Sequence, residues 1–125
     1  MVIPALANNV NTDIPNMGLR VTWQTVTSSG NAVAVDCESG YLVYHLLTEN
    51  TTVGAPSNPD DGEEITFLFK QAAAGSKTVA FNAVFKLVGA AYTMTATANK
   101  LDLLKFVYRS ADTAWYEVGR NQNMG

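Results

Sequence analysis

The sequence predicts an all-β fold: an antiparallel β-sandwich or barrel of about eight strands, preceded by an irregular N-terminal arm. Three observations predict it. Short runs alternate apolar and polar residues, as in Glu64-Ile65-Thr66-Phe67-Leu68-Phe69-Lys70, the period of half-buried strands. Turn signals built from Gly, Pro, Asn, Asp and Ser recur about every 8–12 residues, the spacing of a sandwich or barrel. No segment reads as a helix: Ala72–Ala74 is alanine-rich but too short to nucleate one.

The elements follow in order. Residues 1–18 contain Pro4, Pro15 and Gly18 among several Asn, residues that break regular structure. This arm also carries Ile3, Leu6 and Ile14, apolar groups that need cover, so it either wraps its own domain or lies on a neighbour. A β-domain is expected over 19–119. Its first strand covers Leu19–Ser28, with Val21, Trp23, Thr25 and Thr27 on one side. Ser29-Gly30-Asn31 turns the chain into Ala32–Asp36, and Cys37–Gly40 turns it again. Tyr41–Thr48 is apolar on both faces apart from His45, which suggests a strand covered on each side, by a second sheet or another subunit. Val53–Gly62 is the longest loop, closed by Pro59-Asp60-Asp61-Gly62. Ile65, Phe67 and Phe69 then face the core. Gly75 is read as the centre of a hairpin turn. Strands are expected at Thr78–Phe81, Ala83–Leu87, Tyr92–Thr97, Leu103–Arg109 and Trp115–Gly119. Residues 120–125 read as a polar C-terminal tail.

Composition limits the function. A chain of 125 residues that is 47% hydrophobic and 15% charged suits one globular domain with a modest core. The net charge of −3 and the scattered Lys and Arg argue against nucleic acid as a partner. No apolar run approaches the ~20 residues of a membrane span, and no signal peptide is visible. The single cysteine, Cys37, excludes an internal disulfide. The chain thus reads as assembled in a reducing cytoplasm.

Catalytic signals are weak. His45 is the sole histidine, and no Gly-x-Ser-x-Gly elbow accompanies it. Asp60, Asp61, Glu63 and Glu64 form the one acidic cluster. Calcium favours such loops, but a solvated turn is the simpler reading. No catalytic, metal or cofactor residue is therefore assigned. An aromatic platform for sugars, drawn from Trp23, Tyr108, Trp115 and Tyr116, competes with ordinary core packing. Trp23 is the best candidate for an interface aromatic. With it, the candidate interface residues are Ile3, Leu6 and Ile14 of the arm, and Tyr41, Val43 and His45 of the two-sided strand.

An ordered set of short motifs points further. Gln71-Ala72-Ala73-Ala74-Gly75 precedes Thr78-Val79. Thr95-Ala96-Thr97-Ala98-Asn99 leads to Asp102, then Leu104-Lys105-Phe106-Val107-Tyr108, then Trp115-Tyr116. This series resembles a β-module of bacteriophage tail-fibre, head-fibre and capsid-decoration proteins, over about Ala32–Val118. Two positions depart from it: Ser110-Ala111-Asp112-Thr113 stands in place of an Asp-Gly hairpin, and Phe85 in place of a tryptophan. The resemblance implies a structural or binding module, usually trimeric, with nothing catalytic. The short length favours a capsid decoration (cement) protein on the outer capsid surface of the virion, with the major capsid protein and its own copies as partners. A head- or tail-fibre module that binds a host receptor or surface glycan is the alternative.

Overall fold

The computed structural model describes residues 22–89 and 91–125; the arm residues Ile3, Leu6 and Ile14 lie outside the described residues. Nine strands form two sheets: β1 (Trp23–Val26), β2 (Ala32–Val33), β3 (Leu42–Leu47), β4 (Thr51–Val53), β5 (Glu64–Gln71), β6 (Val79–Phe81), β7 (Phe85–Lys86), β8 (Leu101–Arg109) and β9 (Ala114–Met124). The larger sheet has the order β1-β3-β5-β8-β9-β7 and the smaller β2-β4-β6.

The all-β expectation holds, but the strand directions do not. β1, β3 and β5 pair in parallel, and so do β2, β4 and β6. Successive strands alternate between the two sheets, so β1–β2, β3–β4 and β5–β6 are three stacked coils of a parallel β-solenoid. A third line of pairing, Asp36 beside Ser57, also runs parallel between the first two coils. Only β5–β8 and β8–β9 are antiparallel. The hairpin they form closes the third coil, and β7 rejoins β9 in parallel.

This winding changes what the turns do. Gly75, expected at a hairpin, sits at a corner that carries the chain from β5 in one sheet to β6 in the other. Its φ is +65°, and a Cβ there would lie 2.8 Å from the Ala96 carbonyl oxygen. A side chain is thus excluded by both backbone conformation and space. Tyr92–Thr97 forms no strand; it is an irregular segment that buries Tyr92 and Met94 over the core. Residues 120–124, expected as a polar tail, complete β9.

The core lies between the sheets. Ile65, Phe67 and Phe69 point inward as expected and are essentially inaccessible. Phe67 and Phe69 stack at 5.5 Å, and Phe81, Phe85 and Phe106 meet Phe67 edge-on at 5.7, 5.8 and 5.9 Å. Such edge-to-face contacts add to simple burial. The smaller sheet contributes Val33, Val53 and Val79.

Buried polar groups key the hairpin to the coils. The Gln71 carboxamide donates to the carbonyls of Lys77 (2.7 Å) and Thr95 (2.8 Å) and accepts from the Lys77 amide at 3.2 Å. Asp102, wholly inaccessible, accepts from the Tyr92 hydroxyl (2.7 Å), the Thr95 amide (2.8 Å), the Gln122 carboxamide (3.0 Å) and the Asn123 amide (2.9 Å). Burial pushes the Asp102 carboxyl up, but the donors from Thr95, Tyr92 and Asn123 outweigh it and hold it below the usual carboxylate range. Nearby, Arg120 grips Glu117 through two bonds of 2.7 and 2.6 Å and lies over the Tyr92 ring, 5.4 Å from its centre. Glu117 also accepts the Val88 amide at 2.8 Å.

The hairpin turn departs from the module's Asp-Gly pattern at a measurable cost. Thr113 adopts φ +49° and its amide bonds to the Ser110 carbonyl at 3.1 Å. A β-branched residue is strained there. Asp112 fixes the turn by accepting from Arg109 and from the Tyr116 hydroxyl, each at 2.7 Å.

Three outcomes follow from these contacts. Asp102→Asn, which removes the charge and places donors against donors, should destabilise the fold by about 2–4 kcal/mol in urea unfolding at pH 7. Because the folded-state pKa of Asp102 is lowered, its charge stabilises the fold at neutral pH, and that contribution fades as pH falls below about 4. The stability gap between the natural chain and Asp102→Asn should therefore narrow in acid; a constant gap would show that the charge is not the stabilising element. Thr113→Gly should raise stability by about 0.5–1 kcal/mol, the relieved strain exceeding the entropy glycine adds to the unfolded chain.

Candidate interaction surface

The larger sheet has a second face. Alternation along β3 sends Val43, His45 and Leu47 into the core and Leu42, Tyr44 and Leu46 outward. The same alternation along β5 sends Thr66, Leu68 and Lys70 outward. Pairing brings these residues into rows across the sheet. Thr25, Tyr44, Leu68 and Leu103 stand side by side, because Thr25 pairs with Tyr44, Tyr44 with Leu68, and Leu68 with Leu103. Trp23, Leu42 and Thr66 form the row on one side; Leu46, Lys70 and Leu101 form the row on the other. Trp23 is 46% exposed and Leu46 41%. A sheet with one face on the core commonly sets polar residues on the other; here the outer face is chiefly apolar as well.

The electrostatics of this face are sparse. Lys105 pairs with Glu64 at 3.1 Å at one side, an exposed contact of little energetic weight. A shallow hollow of about 310 Å³ at the β1 edge is lined by Thr25, Val26, Thr27, Ser28, Tyr44, Leu46 and Thr48.

The candidate interface residues divide. Trp23 and Tyr41 are exposed, Tyr41 at 55%. Val43 and His45 are not available to a partner: each is 1% exposed. The His45 ring edges against Phe69 at 6.4 Å. Its Nδ1 lies 3.0 Å from the Val26 carbonyl and its Nε2 3.2 Å from the Thr51 hydroxyl. The Val26 oxygen can only accept, so Nδ1 carries the hydrogen. His45 is thus a satisfied core residue that ties β1 to the start of β4. The outward neighbours Tyr44, Leu46, Leu68 and Leu103 were missed. Their signal was the apolar character of both alternation phases in 42–47 and 65–69.

A second region is concave but chemically spent. Tyr41, Asp60, Asp61, Gly62, Glu63 and Glu64 line a hollow of about 490 Å³. Asp61 accepts the Ser110 amide at 2.8 Å, and that bond lowers its pKa. Glu63 accepts the Asp60 amide at 3.0 Å, and Glu64 is paired with Lys105. The acids of the long loop therefore hold the backbone bend. Among the described residues no group of three His, Cys, Asp or Glu is placed to hold a metal. Burial, then the charge of Glu63, pushes the adjacent Cys37 thiol up to about 12, so it stays protonated and unreactive at neutral pH. No helix of the described residues is long and apolar enough to cross a membrane.

A short parallel solenoid closed by an antiparallel hairpin, with its acids and its histidine committed to structure, defines a structural β-module. A family model described as "Putative phage tail fibre C-terminal domain" matches residues 33–113, well over half of the chain. The chain belongs to that family and is a phage virion structural protein. No curated protein matches it significantly. Seven chains of solved structures do. One, described as the structure of a chaperone-substrate complex, shares 17% identity with a TM-score of 0.50, covering 82% of this chain and 17% of that one. At that identity the likeness concerns the fold alone. The chain spans about a sixth of the length of that solved chain.

Proposed function

We propose that this chain is a non-enzymatic fibre module that self-associates as a homotrimer and presents its loops to the host surface, where a glycan is the partner. The observation that carries the reading is the family match, which names a fibre domain over 81 consecutive residues, 33–113. The fold is consistent with it. The core polar groups are paired, with no buried side-chain N or O left without a partner among the described residues, as suits a rigid extracellular part. The motif residues Gln71, Gly75 and Asp102 prove to be packing and hydrogen-bonding residues, which supports a scaffold role.

The second reading, a capsid decoration protein bound to the major capsid protein, uses the same fold. Small size does not separate the two, because a C-terminal domain is by description part of a larger assembly. No contact in the structure favours the capsid over the fibre.

Position on the virion tests the proposal. Gold-conjugated antibodies raised against the folded chain should label the distal ends of fibres in electron micrographs of intact particles. Label spread over the head would overturn the fibre reading and establish decoration.

A further inference from the structure

We propose that the outer face of the larger sheet is the surface through which copies of this chain pack against one another. The inference rests on the self-association in the proposed function and assigns it to named residues. Three observations carry it.

The first is chemistry. Leu42, Tyr44, Leu46, Leu68 and Leu103 lie on one contiguous outer face, with Trp23 at its corner. A contiguous apolar area of this kind on a water-facing sheet marks an association surface.

The second is shape. The face is a sheet, and its one hollow, at the β1 edge, is shallow and small. A flat apolar sheet face is complemented by another such face, as when two sheets pack about 10 Å apart. Among the described residues, the surface of matching chemistry is the same face on a second copy. A soluble glycan is a poor occupant, since these rows offer few hydrogen-bonding groups.

The third is size. Five strands about 4.8 Å apart and about six residues long span on the order of 500 Å² in projection. The accessible area of interlocking side chains exceeds the projection, which brings each copy near the ~800 Å² per partner of a standard interface. The face is therefore large enough to hold copies together without help from the hollow beside Tyr41.

Light scattering on the full chain and on two single variants, Leu46→Asp and Leu68→Asp, tests this. Both side chains point away from the core, so circular dichroism should match the natural chain. Val88→Asp, at an exposed site off the face, is the control. The natural chain and the control should be oligomeric, and each face variant should dissociate at least tenfold more readily. An oligomer insensitive to both face variants would overturn the assignment while leaving self-association intact. A natural chain that is monomeric at every concentration would remove self-association itself. A monomer that associates only after residues 1–21 are deleted would show the face to be covered by its own chain, which also overturns the assignment. None of these outcomes bears on fibre against capsid position, which the antibody labelling decides separately.

Discussion

The fold depends on one buried carboxylate. A three-coil parallel stack has a last coil with unpaired edges, and an exposed sheet edge is a liability. Here β8 covers the β5 edge, and Asp102 on β8 gathers donors from the 92–95 segment and from β9. An ionised group without water is tolerated only when its hydrogen bonds are made. That demand fixes the register of the hairpin, the path of Tyr92–Thr95 and the strand character of residues 120–124 together. Gln71 does the same one strand away, tying the corner at Lys77 to Thr95.

The ordered motif in the sequence thereby acquires a physical meaning. Gln71 and Asp102 are the two side chains that hold the irregular 92–99 segment. Gly75 is the point where that segment comes too close for any side chain, and Asn99 takes φ +64° at its end. The motif records how one end of the stack is closed. It identifies the module without identifying a ligand, which is why the family could be recognised while no binding residue came with it.

Much of the fold was legible because burial leaves a period. Ile65, Phe67 and Phe69 face inward as the alternation indicates, and the Pro59–Gly62 turn falls where its residues place it. Strand direction was not legible, since alternation of period two is the same for parallel and antiparallel partners. Nor does the stack repeat regularly: Trp23 sits opposite Leu42, a step of 19 residues, whereas Thr51 sits opposite Val79, a step of 28. In β3, apolar residues on both phases left the inward set undetermined, and the polar ring of His45 suggested an interface. Its partners Val26 and Thr51, distant in sequence, bring it inside. The tail was misread for a similar reason: Arg120, Gln122 and Asn123 are polar because they bond to Glu117 and Asp102.

The claim that Asp102 locks the closing hairpin is tested most directly by amide hydrogen exchange at Thr95. This residue belongs to no strand, so as an ordinary loop amide it would exchange through local fluctuation. Bonded to Asp102, it should exchange only with global unfolding, as slowly as the central amides of β5. Fast exchange at Thr95 beside slow exchange in β5 would contradict the account.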